Sequence, residues 1–157
     1  MRIGEELVRA ACDGNSRLVL AALRRGAKPN ACYRGRPALI WAIQEQKLNV
    51  VRILVRAGAS LEKKDSDGFT PLDTAVGEGN LAIVRFLLGA GAKVNGRTRN
   101  GTPLHTACAY RRLAIAKLLL AHGASVDALD EDGLTPADLT KIETNRTDKA
   151  LQTMFRR

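Results

Sequence analysis

Leu119-Leu120-Ala121-His122-Gly123-Ala124 closes an apolar stretch on a Gly-Ala pair, and the same ending recurs at Gly26-Ala27, Gly58-Ala59 and Gly91-Ala92. The steps between pairs are 32, 33 and 32 residues. A fixed period of this length means one supersecondary unit, too small to bury its own apolar face, stacked several times into a solenoid. Sixteen residues before each pair stands an alanine with a leucine three residues ahead of it: Leu7 and Ala10, Leu39 and Ala42, Leu72 and Ala75, Leu104 and Ala107. A spacing of three puts each leucine and alanine on one face of a helix.

Ahead of the later leucines lies a turn and helix entry, Asp67-Gly68-Phe69-Thr70-Pro71 and Asn100-Gly101-Thr102-Pro103, which recurs as Asp132-Gly133-Leu134-Thr135-Pro136. Asp-Gly and Asn-Gly supply the positive φ of a tight turn, and proline at the first helical position gives up only a donor that has no partner there. A second apolar helix follows in each unit, with Val50, Val51, Ile53 and Leu54, then Ile83, Val84, Phe86 and Leu87, then Ile115, Ala116, Leu118 and Leu119. The first unit is weaker at these positions, with Leu18, Val19, Ala21 and Ala22, and places Glu5, Glu6, Arg9 and Arg17 on its outer face, as an N-terminal cap requires. At the other end the pattern fades after Thr135-Pro136. The stretch from Asn145 to Arg157 reads as a final helix with Ala150, Leu151, Met154 and Phe155 on one side.

These residues resemble the ankyrin repeat, whose signature runs T-P-L-H, a short helix, a G-N or G-H turn, a second helix and G-A-D-V-N. Thr102-Pro103-Leu104-His105 and Gly91-Ala92-Lys93-Val94-Asn95 match it best, and the likeness extends from about Glu5 to Thr140. It implies an all-α solenoid of stacked helix-turn-helix units joined by β-hairpin fingers. The chain divides accordingly into one domain, 1–157, with repeats at about 4–34, 35–67, 68–99 and 100–132 and a truncated cap at 133–157. Two departures stand out. Pro37-Ala38 replaces the Thr-Pro of the second repeat, and the third finger is one residue short between Gly101 and Thr102.

Catalytic readings find no support. His105 opens a first helix, where the resemblance implies a turn-bracing hydrogen bond, and His122 closes a second helix, where a cation suits the macrodipole. Cys12, Cys32 and Cys108 lack metal-ligand spacing and fit a reducing compartment, and Cys108 replaces a repeat alanine as core filling. Gly77-Glu78-Gly79-Asn80 joins two helices of one repeat, with no strand before it and no P-loop lysine after it. No enzyme activity, metal or cofactor is expected. No apolar run reaches the length of a membrane span, and the acidic Glu5, Glu6 and Asp13 speak against a targeting segment, so a soluble intracellular protein, monomeric by itself, is expected.

What remains is recognition by surface. The resemblance implies binding along the fingertips and the exposed ends of the first helices. The fingertip positions are Tyr33, Arg34 and Arg36, then Lys64, Ser66, Asp67 and Phe69, then Arg97, Arg99 and Asn100, then Leu129, Glu131, Asp132 and Leu134. The helix ends add Cys12, Asp13, Gln44, Glu45, Glu78, Ala109 and Tyr110. Tyr33, Arg34, Arg36, Lys64, Phe69, Arg97, Arg99 and Tyr110 are the principal candidates, because aromatic and arginine side chains concentrate binding energy. Trp41 takes a first-helix position and is expected in the core.

The chain carries a net charge of +9, unevenly spread. Residues 1–126 hold 20 Lys and Arg against 9 Asp and Glu, whereas residues 127–157 hold 5 against 7. Such a balance attracts acidic proteins, nucleic acids or anionic surfaces. The expected function is a non-catalytic scaffold or adaptor, or a small subunit of a larger assembly, binding a protein of acidic or mixed surface. The alternative is an RNA-associated component that sets the same basic fingers on phosphate. Arg52, Arg85 and Lys117 share one slot of successive second helices and read as a solvated face.

Overall fold

Helix pairs follow one another along the chain, as the period predicts. The computed structural model describes residues 2–98, 100–142 and 149–155. The elements are α1 (Ile3–Cys12), α2 (Ser16–Arg24), β1 (Cys32–Tyr33), β2 (Arg36–Pro37), α3 (Ala38–Gln44), α4 (Leu48–Arg56), α5 (Pro71–Glu78), α6 (Leu81–Gly89), α7 (Pro103–Ala109), α8 (Leu113–Ala121), α9 (Pro136–Ile142) and α10 (Lys149–Met154). The first helices α1, α3, α5, α7 and α9 pack in sequence on one another, and the second helices α2, α4, α6 and α8 do the same behind them. This is an all-α solenoid in two helical layers.

The Gly-Ala pair works as a helix stop. Gly26, Gly58, Gly91 and Gly123 take φ of 92°, 91°, 94° and 85°, a conformation that costs glycine nothing. Each following alanine sends its N–H back to a carbonyl of the last turn, Ala27 to Ala22 and Ala124 to Leu119 at 3.0 Å, which closes a Schellman motif. The alanines themselves are buried. Between the layers lie the repeating leucines Leu7, Leu39, Leu72 and Leu104 and the alanines sixteen residues before each pair, all buried. Each such leucine contributes roughly 1.5 to 3 kcal/mol.

The fingers come in two designs. β1 and β2 pair antiparallel, with Tyr33 opposite Arg36. Arg34 and Gly35 between them have φ of 50° and 74°, the doubly positive φ of a type I′ turn. The third finger closes as tightly, through a bridge between Thr98 and Gly101. The second and fourth are longer and are organised by one aspartate each. Asp65 Oδ1 accepts from Asp67 N–H and Phe69 N–H, both at 3.0 Å. Asp130 Oδ1 does the same for Asp132 and Leu134. The first finger is therefore as short as the third, which accounts for both 32-residue steps.

Side chains also tie repeat to repeat. Asn30 Oδ1 accepts from Ser60 N–H at 2.8 Å, Glu62 Oε1 from Lys93 N–H at 2.9 Å, and Asn95 Oδ1 from Ser125 N–H at 2.8 Å.

The ends depart from expectation in detail. In the first unit Val19 and Ala22 are buried, but Leu18 is 56 % exposed and Ala21 is exposed, on the side of α2 turned away from α4. Glu5, expected on the outer face, is half-buried beside the first finger. At the C-terminus α10 packs on α8 and α9 and takes the second-helix place of a fifth unit. Leu151 is buried and Met154 and Phe155 pack against the core, whereas Ala150 is exposed and does not share their face. Residues 145–148 of the expected final helix lie outside the described residues, as do Arg156 and Arg157.

Candidate partner-binding groove

The first helices and the fingers form one face of the molecule, and three cavities open along it. The first, about 360 Å³, lies against α1 and α3 and is lined by Glu5, Val8, Arg9, Cys12, Asp13, Tyr33 and Trp41. A middle cavity of about 310 Å³ lies between α5, α7 and the second finger, and a third of about 560 Å³ between α7, α9 and the fourth finger. Asn100, Thr106 and Tyr110 belong to both of the latter.

Several candidate residues meet on this face. Tyr33 is 44 % and Tyr110 59 % exposed, and Phe69 is half-buried at the middle cavity. Arg34 is exposed, with its guanidinium 5.3 Å from the centre of the Tyr33 ring. Trp41, expected in the core, is half-buried and packs against it, while one ring face carries the Arg36 guanidinium at 4.9 Å and the residue also lines the first cavity.

The basic finger residues are largely engaged within the chain. Arg36 is half-buried, within 3.5 Å of both Asp65 Oδ2 and Asp67 Oδ2. Lys64 Nζ donates to the Arg97 carbonyl at 2.9 Å, and the Arg97 guanidinium donates to the Leu129 carbonyl. Neither Lys64 nor Arg97 lines one of the three cavities. Arg99 lies outside the described residues.

The cavities concentrate the opposite charge. Glu5, Asp13, Asp65, Asp67, Asp73, Glu78, Asp130, Glu131 and Asp132 line them, against Arg9 and Arg36. Nine of the chain's 16 acidic residues thus line the three cavities, against two Lys and Arg among the described residues. Arg52, Arg85 and Lys117 stand exposed on α4, α6 and α8 in the other layer, as their shared slot predicts.

Two homologous positions behave differently. His105 is fully buried and its Nδ1 accepts from Thr102 N–H at 3.0 Å. A backbone N–H can only donate, so the ring proton sits on Nε2, which donates to the Leu134 carbonyl at 3.0 Å and links two repeats. One repeat earlier stands Asp73, too short to bridge. Its Oδ2 accepts from Thr70 Oγ1 at 2.6 Å and Thr70 N–H at 3.3 Å, while Oδ1 is buried without a hydrogen-bond partner. Burial pushes the Asp73 carboxyl up to about 6, against the Thr70 hydrogen bonds and the attraction of Lys64, with Glu62 adding a small push upward. Asp65, Asp73, Thr106 and Glu5 were not legible as site residues; only the register of the fingers against the helices brings them to the cavities.

Two of the three thiols are held protonated by their surroundings. Burial pushes Cys108 up to about 12. Cys12 is also raised, by burial first and then by Glu45 and Asp13, against a small opposing effect of Lys47. Among the described residues no group of three or more His, Cys, Asp and Glu is arranged to hold a metal ion.

A stacked helix-pair solenoid with hairpin fingers and an open groove defines a repeat protein. Family models agree. Ankyrin repeats in three copies match residues 7–98, and ankyrin repeats in many copies match residues 90–139. The chain belongs to the ankyrin-repeat family. It is 40 % identical over 91 residues to mouse "Ankyrin repeat and SOCS box protein 10", covering 58 % of this chain and 20 % of that protein. It is 37 % identical over 81 residues to the mouse "B-cell lymphoma 3 protein homolog", covering 50 % of this chain and 18 % of that one. With "Cyclin-dependent kinase inhibitor 2A" of Monodelphis domestica it shares 34 % over 88 residues, 55 % of this chain and 52 % of the relative. The chain thus spans about a fifth of the first two relatives and about half of the third. Proteins of this family are generally protein-interaction modules and typically non-catalytic. Among the described residues no helix is long and apolar enough to cross a membrane.

Proposed function

We propose that this chain is a non-catalytic scaffold or adaptor that holds a segment of a partner protein along the face built by its first helices and fingers, with residues 1–157 acting as one domain. The observation that carries this reading is the run of cavities bordered by Tyr33, Trp41, Phe69 and Tyr110. Aromatic side chains present large contact area at small entropic cost, and two of these are exposed without a packing role that would explain them. Arg34 extends the same surface at the first fingertip, held there by a turn whose positive φ suits glycine better than arginine. The three free cysteines support an intracellular site of action.

The test pairs a groove variant with a control on the opposite layer. Replacing Tyr33 and Tyr110 together by serine is expected to abolish capture of the native partner with the fold intact. Reversing Arg52, Arg85 and Lys117 to glutamate is expected to leave capture unchanged. The opposite pattern would place recognition on the second-helix layer and overturn the groove reading.

A further inference from the structure

The middle cavity holds more acceptors than the chain can satisfy. Asp65, Asp67, Asp73 and Glu78 line it, with Arg36 as the cation among them. Asp65 Oδ1 accepts from Asp67 N–H and Phe69 N–H, and the Arg36 guanidinium lies 3.5 Å from both Asp65 Oδ2 and Asp67 Oδ2. Two acceptors are left over. Asp73 is 2 % and Thr106 7 % exposed, both line the cavity, and neither Asp73 Oδ1 nor Thr106 Oγ1 has a hydrogen-bond partner. A buried acceptor left unpaired is costly, and an ionised one more so.

A group that relieves both must be positively charged, must donate at least two hydrogen bonds, and must reach in on a slender apolar stem past Phe69 and Tyr110. Lysine and arginine side chains meet all three conditions. Resting on the groove reading above, we propose that the middle cavity is the seat for a lysine or arginine side chain of an extended basic segment of a partner protein, which donates to Asp73 Oδ1 and Thr106 Oγ1. The neighbouring cavities, with Glu5 and Asp13 on one side and Asp130, Glu131 and Asp132 on the other, continue the negative lining along the same segment. Charge complementarity therefore selects a basic partner for this face, although the chain as a whole is basic. Its own excess cations stand chiefly on the opposite layer and at finger positions outside the cavities, away from the bound segment.

Fluorescence anisotropy with a labelled peptide of alternating lysine and serine, alongside its glutamate-serine counterpart, tests this on the whole chain. The lysine peptide is expected to bind, and its amide chemical shifts are expected to map to α3, α5 and α7. Asp73→Asn keeps an oxygen for Thr70 and sets an amide N–H where the free carboxylate oxygen stood. It is expected to weaken binding about thirtyfold or more, the effect of removing one partner of a buried charge pair. Thr106→Val is expected to weaken it roughly threefold to tenfold, as loss of one neutral hydrogen bond does, and it carries the test if Asp73→Asn fails to fold. Equal affinity in both variants, or preference for the glutamate peptide in the same groove, would overturn the cation seat and leave the groove reading standing. Peptide shifts confined to α4, α6 and α8 would overturn both.

Discussion

Asp73 occupies the position that His105 fills one repeat later, and the difference is one of reach. The imidazole spans from the Thr102 turn to the Leu134 carbonyl, whereas the shorter carboxyl stops at Thr70 and keeps one oxygen unpaired. Because the folded chain holds the Asp73 proton up to about 6 while the unfolded chain releases it near 3.8, the folded state binds the proton more tightly in that window. Ionisation of Asp73 therefore lowers stability as pH rises from about 4 to above 6, by about 3 kcal/mol once complete, and below that window the cost vanishes. Denaturant unfolding of the parent and Asp73→Asn across this range is expected to show the parent losing stability relative to the variant as pH rises. Parallel pH profiles would remove the burial argument. At this scale the sequence places Asp73 at the position of His105 but does not show that its second oxygen is sealed off; that depends on what packs above it.

The turns between the two helices of a repeat alternate as the fingers do. Gly14-Asn15 and Gly79-Asn80 supply a positive φ and then a side-chain cap, Asn15 Oδ1 to Leu18 N–H and Asn80 Oδ1 to Ile83 N–H at 3.1 Å. The equivalent Gln46-Lys47 and Arg111-Arg112 keep the backbone path without glycine or cap. Gln46 has φ of 57° and Arg111 of 54°, and neither Lys47 nor Arg112 makes a side-chain cap bond. A left-handed non-glycine residue costs about 1 to 2 kcal/mol, part of which glycine returns in unfolded-chain entropy. Gln46→Gly is thus expected to raise stability by roughly 0.5 to 1 kcal/mol, read as a higher denaturant midpoint with an unchanged slope. A lower midpoint would mean that the Gln46 side chain supports the turn. The fingers show how far an element can be read in advance. Asp-Gly and Asn-Gly marked turns correctly, yet the two-residue closure of the first finger became visible only when Tyr33 paired with Arg36.

For the whole molecule, each repeat packs on its neighbours, so stability is a sum of local terms and interfaces. Leu151 is the buried anchor of α10 against α8 and α9. Truncating it to alanine is expected to cost about 2 to 5 kcal/mol locally and to speed amide exchange in α8 and α9 while sparing α1 to α4. Uniform acceleration along the chain would show that the solenoid unfolds as one unit. Charge is organised at this scale as well, with acidic side chains gathered in the groove cavities of a basic chain.

By itself the sequence determined the scaffold, because the Gly-Ala stop, the Thr-Pro start and the leucine spacing are local devices that act within a few residues and repeat at a constant period. It also named much of the surface, including Tyr33, Asp67, Phe69, Glu78 and Tyr110. The tertiary structure alone decided which charge that surface presents. Arg36, Lys64 and Arg97 are drawn into bonds with the neighbouring fingers, while carboxylates from separate repeats converge on shared cavities. Net charge is additive along a chain, but the field in a groove depends on which side chains face it and which are already paired. Only stacking one repeat on the next determines those.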